Sequence, residues 1–360
     1  MGKSAVKGLF YICLIAATFV LATITIVAAF SGNMAPVDSV IMPLLGLAVP
    51  VLLIANLITA LCWALARKRW ALVPLVAFFC NWGYLTSVFQ LHLPKDKTPA
   101  GKYLKIATYN IHNFGGEITG YSCKEIARYM QQEGVDVLCF QEFGDNSDFP
   151  TDSIRRILSH WSHALIPSED SKGVLPIAVF SRYPLANHRF ITYQQSSNCS
   201  MMCDVAMGTD TIRLINNHLQ TTSVSHKRRK GERERATDDT RREVQAAKDA
   251  AGTLHENFMK RATQTYVISH YAKTSPYPVL LCGDFNSIPS SYTYHHLRKT
   301  LKDGFRTAGN GYMYTYRYAK RMLRIDYIFH SPSLKGIEYY SPDLDLCSDH
   351  NPVIMEVEIQ

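Results

Sequence analysis

The sequence predicts an α/β domain carried on a short set of membrane-spanning helices, and three observations predict it. Three charge-free apolar runs fill most of the first 93 residues. From residue 103 onward, short β-type runs keep ending in polar residues, and amphipathic helical patterns lie between them. Strands alternating with helices mark an α/β domain, and reactive side chains gathered at strand ends are the usual layout of its site.

The apolar runs are Leu9 to Phe30 (22 residues), Val40 to Ala66 (27) and Trp70 to Leu93 (24). Each is long enough to cross a hydrocarbon core of roughly 30 Å. A cleaved signal peptide flanked by Lys3 and Lys7 would explain the first run alone, so three spanning helices are expected, about 9–30, 40–66 and 70–93. Pro43, Pro50 and Pro74 are tolerable there, while Asn81, Gln90 and His92 dilute the third. Basic residues sit before the first helix and at Arg67–Arg69; the loop at 31–39 carries only Asp38. The positive-inside rule therefore predicts a multi-pass inner-membrane protein with its C-terminal domain outside the cytoplasm. Residues 94–102, polar with two prolines and a glycine, read as a linker.

The net charge is +8, but beyond residue 93 the chain holds 33 basic and 29 acidic residues. That balance is compatible with an anionic substrate and does not by itself indicate nucleic acid.

The domain at 103–360 is organised around Pro278-Val-Leu-Leu-Cys-Gly-Asp-Phe-Asn286. Four apolar residues after a proline are too few for a helix and read as a buried strand. Gly283 is expected to let the backbone turn at the strand end, with Asp284 and Asn286 projecting to one side. Five other runs behave alike: Leu104–Tyr109 leads into Asn110-Ile-His112, Val135–Phe140 into Gln141-Glu142, and Ile212–Ile215 into Asn216-Asn-His218. Leu323-Arg-Ile leads into Asp326, and Cys347-Ser-Asp349-His350 precedes a last strand at Pro352–Ile359. Helical patterns fall at Lys124–Glu133 and Arg241–Met259. Taken singly, His218 is an ordinary core histidine, Glu142 a loop acid and Asn110 a strand-end cap. Six such endings together indicate a site.

The ordered series Tyr109-Asn-Ile-His112, Gln141-Glu142, Ser181-Arg-Tyr-Pro-Leu185, Asn216-Asn-His-Leu219, Gly283-Asp-Phe-Asn286, Arg324-Ile-Asp-Tyr-Ile-Phe329 and Ser348-Asp-His-Asn-Pro352 resembles the endonuclease/exonuclease/phosphatase superfamily. The resemblance covers about residues 100–360. It implies two β-sheets packed face to face with outer helices, a four-layer sandwich, and cleavage of a phosphate ester with Mg²⁺ or Mn²⁺. It also implies roles. Glu142 is the principal metal ligand, helped by Asn110 and Asp349; Asp284 orients or deprotonates the attacking water. Asn286 holds that water or a phosphate oxygen, His350 acts on the phosphate with its ring fixed by Asp326, and His218 contacts the scissile phosphate from the other side. Asn110 and Asn216 complete the expected substrate contacts. Such chemistry needs charge neutralisation, an oriented nucleophile and leaving-group protonation, and Mg²⁺ favours hard oxygen ligands.

Two departures stand out. Nucleases of the pancreatic deoxyribonuclease type pair the histidine at the His218 position with a glutamate, yet Gly173-Val-Leu-Pro-Ile has no acid; Glu169 and Asp170 lie upstream. Arg324-Ile-Asp-Tyr lacks the Cys-Asp-Arg signature of inositol-lipid 5-phosphatases, which counts against that subfamily. Ser225–Arg242 holds eight basic residues among four acids, either a basic arm touching nucleic acid or lipid headgroups or a solvated insertion. Cys199 and Cys203 are near enough in sequence to pair in an oxidising space, and no second close Cys/His pair accompanies them to hold zinc. The expected function is a membrane-anchored phosphodiesterase, most readily a nuclease, bound to the bilayer through its helices, and no obligate protein partner is inferred. The alternatives are a phospholipid or sphingolipid headgroup hydrolase, and a non-catalytic binding module, against which the intact acid and histidine set argues.

Overall fold

The N-terminal apolar runs fold as α1 (Lys3–Ala28), α2 (Ile41–Leu65), α3 (Leu72–Cys80) and α4 (Trp82–Val88) in a computed structural model that describes residues 3–37, 39–93, 97, 101–166, 176–222 and 239–359. Two helices are long and apolar enough to cross a membrane. The third expected span differs: α3 and α4 meet at a 63° bend. At ~1.5 Å per residue, the nine residues of α3 cover less than half of a hydrocarbon core. The bend has a local cause. Asn81, buried at the break, donates to Ala77 O and Thr25 O, both at 3.1 Å. Asn56 Nδ2 reaches Thr25 Oγ1 at 2.7 Å and Trp63 Nε1 reaches Thr18 Oγ1 at 2.9 Å. Side-chain hydrogen bonds of this kind tie helices together where apolar packing cannot tell lipid from protein. Outward-facing Phe10, Ile12, Val20, Ile54, Ile58 and Leu61 stay exposed, an apolar surface no soluble bundle would keep.

The rest of the chain adds strands β1 (Phe89–Gln90), β2 (Lys102–Asn110), β3 (Val137–Gln141), β4 (His163–Leu165), β5 (Ile177–Ser181), β6 (Leu185–Thr192), β7 (Cys199–Met207) and β8 (Asp210–His218). There follow β9 (Val279–Asp284), β10 (Lys302–Asp303), β11 (Gly311–Tyr312), β12 (Asp326–His330), β13 (Leu334–Tyr340) and β14 (Val353–Ile359). The helices among them are α5 (Tyr121–Gln132), α6 (Thr151–Ile157), α7 (Asp239–Lys273), α8 (Tyr292–Leu297) and α9 (Gly304–Ala308). One six-stranded sheet has the order β13-β14-β2-β3-β5-β4 and the other β10-β12-β9-β8-β7-β6. Their facing sides bury Leu104, Ile106, Val137 and Val179 against Leu214, Leu280, Cys282 and Ile328. Removing each such aliphatic side chain from water contributes roughly 1.5–3 kcal/mol. On the outer faces, α5 and α6 pack Ile126, Met130 and Ile154 on one sheet, and α7 and α8 pack Ile268 and Leu297 on the other. The four-layer sandwich implied by the resemblance is the fold observed.

Topology gathers the strand ends. Parallel pairs lie at the centre of both sheets: β2 with β3, registering Asn110 against Gln141, and β8 with β9, registering His218 against Asp284. Parallel neighbours end at the same edge, so four loops open on one side. Antiparallel β12 starts there too, Asp326 opposite Asp284. Gly283 lies within β9 rather than at a turn. A Cβ there would sit 1.9 Å from Asn217 O, and φ is +130°, so the close approach of β8 and β9 requires glycine.

Helices and sandwich are joined by polar contacts. Ser31 Oγ donates to Ser290 O (3.0 Å), and Ser290 Oγ donates to Gly46 O (2.8 Å). Arg324, wholly buried, forks onto both Asp303 oxygens at 2.6 and 2.7 Å and donates to Ser87 O of α4 at 2.9 Å. Tyr294 OH donates to Asp303 Oδ2 at 2.6 Å and lies 2.9 Å from Ser87 Oγ. β1 then pairs with β11. The catalytic unit therefore begins structurally near Ser87, ahead of the expected linker, whose positions 94–96 and 98–100 fall outside the described residues. So do Glu169, Asp170 and most of the basic stretch, 223–238. The second sequence-read helix extends to Lys273, fourteen residues beyond its expected end, because Ile268 and Ala272 keep an apolar face on the sheet. Cys199 and Cys203 are both buried and free; four residues along a strand separate them by ~13 Å, too far for a disulfide.

Candidate active site

The shared strand edge carries a cleft of about 440 Å³ lined by His112, Glu142, His218, Asp284, Asn286, Asp349 and His350 among others. Asn110, the last residue of β2, donates from Nδ2 to Glu142 Oε1 and to Asp284 Oδ2, both at 3.1 Å. Glu142 follows β3 and Asp284 ends β9, so this amide ties the two sheets across the floor. Asp284 is 1 % exposed. Asn286 N–H donates to Asp284 Oδ1 at 2.8 Å, and its amide donates to Leu219 O at 3.0 Å. Glu142, Asn286 and His112 all have φ near +48°, in the left-handed region that L-residues rarely occupy. Strain of that kind persists where surrounding structure over-determines it, typically at sites.

His350 Nδ1 meets Asp326 Oδ2 at 2.9 Å and Oδ1 at 3.2 Å, which leaves Nε2 facing the cleft, 3.7 Å from Asp284 Oδ2. Burial alone would lower the affinity of the ring for a proton. The Asp326 and Asp284 carboxylates outweigh it and push His350 up to about 10. Burial raises Asp284 above the usual carboxylate range, with His350 pulling the other way and Asp326 adding to the rise. A carboxyl raised in this sense is suited to accept a proton. His218 Nε2 lies 3.7 Å from Glu142 and 3.8 Å from Asp284, whereas its buried Nδ1 has no hydrogen-bond partner among the described residues.

The donor set tests whether the cleft fits a divalent ion. Glu142 keeps 22 % of its side chain exposed and Asp349 30 %, both on the cleft, with the Asn110 carboxamide beside Glu142. Two reachable carboxylates and an amide are hard oxygen donors of the kind Mg²⁺ takes alongside water and phosphate, so the residues fit such an ion. Asp284, Asp326 and His350 also bring ligating atoms within 4.8 Å of one another, although here His350 is already engaged by Asp326.

Most expected site residues thus converge: Asn110, Glu142, His218, Asp284, Asn286, Asp326, Asp349 and His350. Asn216 does not. It is fully buried, its Oδ1 taken by Gln141 Nε2 (2.6 Å) and its amide donated to Phe140 O and Ala178 O (3.1 and 3.2 Å), so it joins the two sheets rather than facing the cleft. Sequence reading gave no role to His112, whose Nδ1 lies 3.2 Å from Glu142 Oε2, nor to Tyr316, whose ring meets the His350 ring edge-on at 5.2 Å. It also passed over Arg261, 2 % exposed, which donates to Thr222 Oγ1 (2.8 Å), Gln220 O (2.8 Å) and Ser287 Oγ (3.2 Å). Burial lowers this guanidinium to about 10 while Asp284 works against the fall. A lone cation in a helical pattern carries no signal of this placement; His112, two residues after Asn110, was the one legible clue.

A family model described as the Endonuclease/Exonuclease/phosphatase family matches residues 107–350. The chain belongs to that family. A second model, a domain of unknown function (DUF8431), matches residues 9–88. No curated protein is a significant match. Among solved structures, the endonuclease/exonuclease/phosphatase from Beutenbergia cavernae is 17% identical with a TM-score of 0.51, covering 72% of each chain. The corresponding protein from Bacteroides vulgatus is 16% identical, TM-score 0.51, covering 72% of this chain and all of that one. TDP2 of D. rerio, described in complex with a single strand DNA product, is 14% identical with a TM-score of 0.50, covering 71% and 99%. These likenesses share the fold.

Proposed function

We propose that this chain is a membrane-anchored hydrolase of phosphate esters that works with Mg²⁺ or Mn²⁺. The observation that carries the reading is the cross-sheet cluster, in which Asn110 bridges Glu142 and Asp284 while Asp326 holds His350 with Nε2 towards the same cleft. A divalent ion at Glu142 and Asp349 would neutralise phosphate charge. Asp284 accepts a proton from the attacking water and Asn286, held at Leu219 O, limits where that water sits. His350, kept protonated by Asp326, supplies positive charge and a proton on the cleft side. His218, whose Nδ1 has no hydrogen-bond partner among the described residues, serves as a phosphate contact. The apolar α1 and α2, or three spans if α3 and α4 count as one, anchor the domain. The α1–α2 turn and α4 meet the sandwich at the end opposite Arg67–Arg69, and with that basic loop in the cytoplasm by the positive-inside rule the domain would lie outside it.

The reaction is tested with full-length protein in detergent and bis(p-nitrophenyl) phosphate. Nitrophenol release should stop in EDTA and return with Mg²⁺ or Mn²⁺; release that continues in EDTA removes the reading. Nucleic acid enters as a substrate class through the DNA product described with TDP2, and lipid headgroups enter through the anchor.

A further inference from the structure

The cleft wall is not supplied by the catalytic domain alone. Leu47, a residue of α2, lines it together with Ile288, Leu323 and Ile325, facing the polar edge of His218, Asp284 and His350. The contact is built, not incidental: Gly46, the preceding residue, accepts from Ser290 Oγ at 2.8 Å, and a Cβ on Gly46 would fall 2.9 Å from Ser31 Oγ. A membrane helix therefore forms part of the site.

Depth follows from helix geometry. A hydrocarbon core of roughly 30 Å takes about 20 residues at ~1.5 Å rise. The charge-free run that contains α2 ends at Arg67-Lys68-Arg69, which favours the headgroup layer. Counting back about 20 residues from there reaches Leu47, and any tilt would place it deeper. The surroundings agree. Met34, Val37 and Ile41 on the α1–α2 turn are at least half exposed, as are Tyr312 and Tyr318 on the loop that brings Tyr316 onto His350. That loop, Gly311-Tyr-Met-Tyr-Thr-Tyr-Arg-Tyr-Ala-Lys-Arg321, alternates tyrosines and then adds exposed Lys320 and Arg321. Amphipathic rings with basic neighbours are what a protein places at an anionic membrane interface. A nucleic-acid strand tracked along this cleft would meet an apolar helix wall at the bilayer surface, where base stacking and backbone cations are needed.

We infer that the substrate is the phosphate ester of a membrane lipid, entering from the leaflet on which the domain sits, with its apolar portion against Leu47, Ile288, Leu323 and Ile325. This deepens the phosphoesterase reading and rests on it. Water adds at phosphorus and the P–O bond to the alcohol breaks. One water proton goes by way of Asp284 to the medium, and the leaving alkoxide takes a proton from His350.

The test uses full-length protein in nanodiscs of phosphatidylethanolamine, phosphatidylglycerol, phosphatidic acid and sphingomyelin, with product read by phosphorus NMR. Single-stranded DNA and bis(p-nitrophenyl) phosphate are run beside it with Mg²⁺ and with Mn²⁺. At least one lipid should be cleaved. Its kcat/KM should rise roughly tenfold or more from dihexanoyl to dioleoyl chains, the scale of discrimination an apolar pocket achieves. Leu47→Asp should lower turnover of the long-chain lipid at least about tenfold more than that of the soluble diester. The chain-length series on unaltered protein decides the matter should that variant fail to insert. Cleavage of the soluble diester or DNA with every lipid inert, or with no gain from chain length, overturns the lipid inference and leaves the phosphoesterase standing. No cleavage of any ester with either metal overturns both.

Discussion

Asp326 and His350 should behave as one catalytic unit. Both are buried, 1 % and 6 % exposed, and His350 Nδ1 meets both Asp326 oxygens, at 2.9 and 3.2 Å. Asp326→Ala removes the group that orients and charges the ring. His350→Ala removes the ring. A positioned acid–base group is worth on the order of 10²–10⁴ in rate, so each single variant should lose that much kcat/KM on a soluble diester. Independent losses would multiply to about 10⁴–10⁸ in the double variant, because free energies at uncoupled sites add. Residues that act together do not multiply, so the double variant should fall little below His350→Ala, a coupling of roughly 3–5 kcal/mol at ~1.36 kcal/mol per decade. Initial rates at saturating Mg²⁺ measure all four proteins. Multiplicative losses would refute the pairing. A shifted Mg²⁺ dependence in Asp326→Ala would instead make Asp326 a ligand, as its proximity to Asp284 permits.

Other outcomes follow from the joint between anchor and sandwich. Asp303→Asn leaves the buried Arg324 uncompensated and should cost about 3–5 kcal/mol, lowering Tm by roughly 6–20 °C in a domain of this size, as calorimetry would show. Burial raises the Asp303 carboxyl but Arg324 overrides it and holds it below the usual range. Its stabilising contribution is therefore full above the unfolded value of about 3.9 and lost as pH falls through the lower folded value, so acid unfolding in Asp303→Asn should show a shallower pH dependence near there. A fragment from residue 101 onward loses Ser87 as partner to Arg324 and Tyr294, at about 1–3 kcal/mol for each buried group left unpaired; it should melt below a fragment beginning at residue 82. A reporter active only outside the cytoplasm, fused after Gln360, should be active, and activity of a cytoplasm-only reporter would reverse the orientation.

Much of the fold was legible because strand ends carry chemistry. Runs such as Val279–Cys282 are apolar on both faces, as central strands of a sandwich must be, and each stops where a polar residue reaches the edge. Gly283 was visible as a special position, though its reason, the carbonyl of Asn217, belongs to a strand 66 residues earlier. The third apolar run was legible, but its 63° bend was not, because Asn81 at the break between α3 and α4 is bonded to Thr25, a tertiary contact. Asn216 shares its strand and, by alternation, its face with His218, but it lies two residues short of the strand end, between the sheets, where Gln141, Phe140 and Ala178 take up its amide. Leu47 was unreadable as a site residue, since nothing local distinguishes it from its apolar neighbours.

Metal-dependent phosphoester hydrolysis in this cleft requires Glu142 to hold the ion, which Mn²⁺ binding followed by electron paramagnetic resonance can measure. Full-length protein should bind Mn²⁺ at a site that competes with Mg²⁺. Glu142→Gln, a change at a strand-end side chain that is partly exposed, should lose that site and at least about 10² of diester hydrolysis while keeping the melting temperature. Undiminished Mn²⁺ binding and hydrolysis in Glu142→Gln would remove Glu142 from the metal site and the proposed chemistry with it.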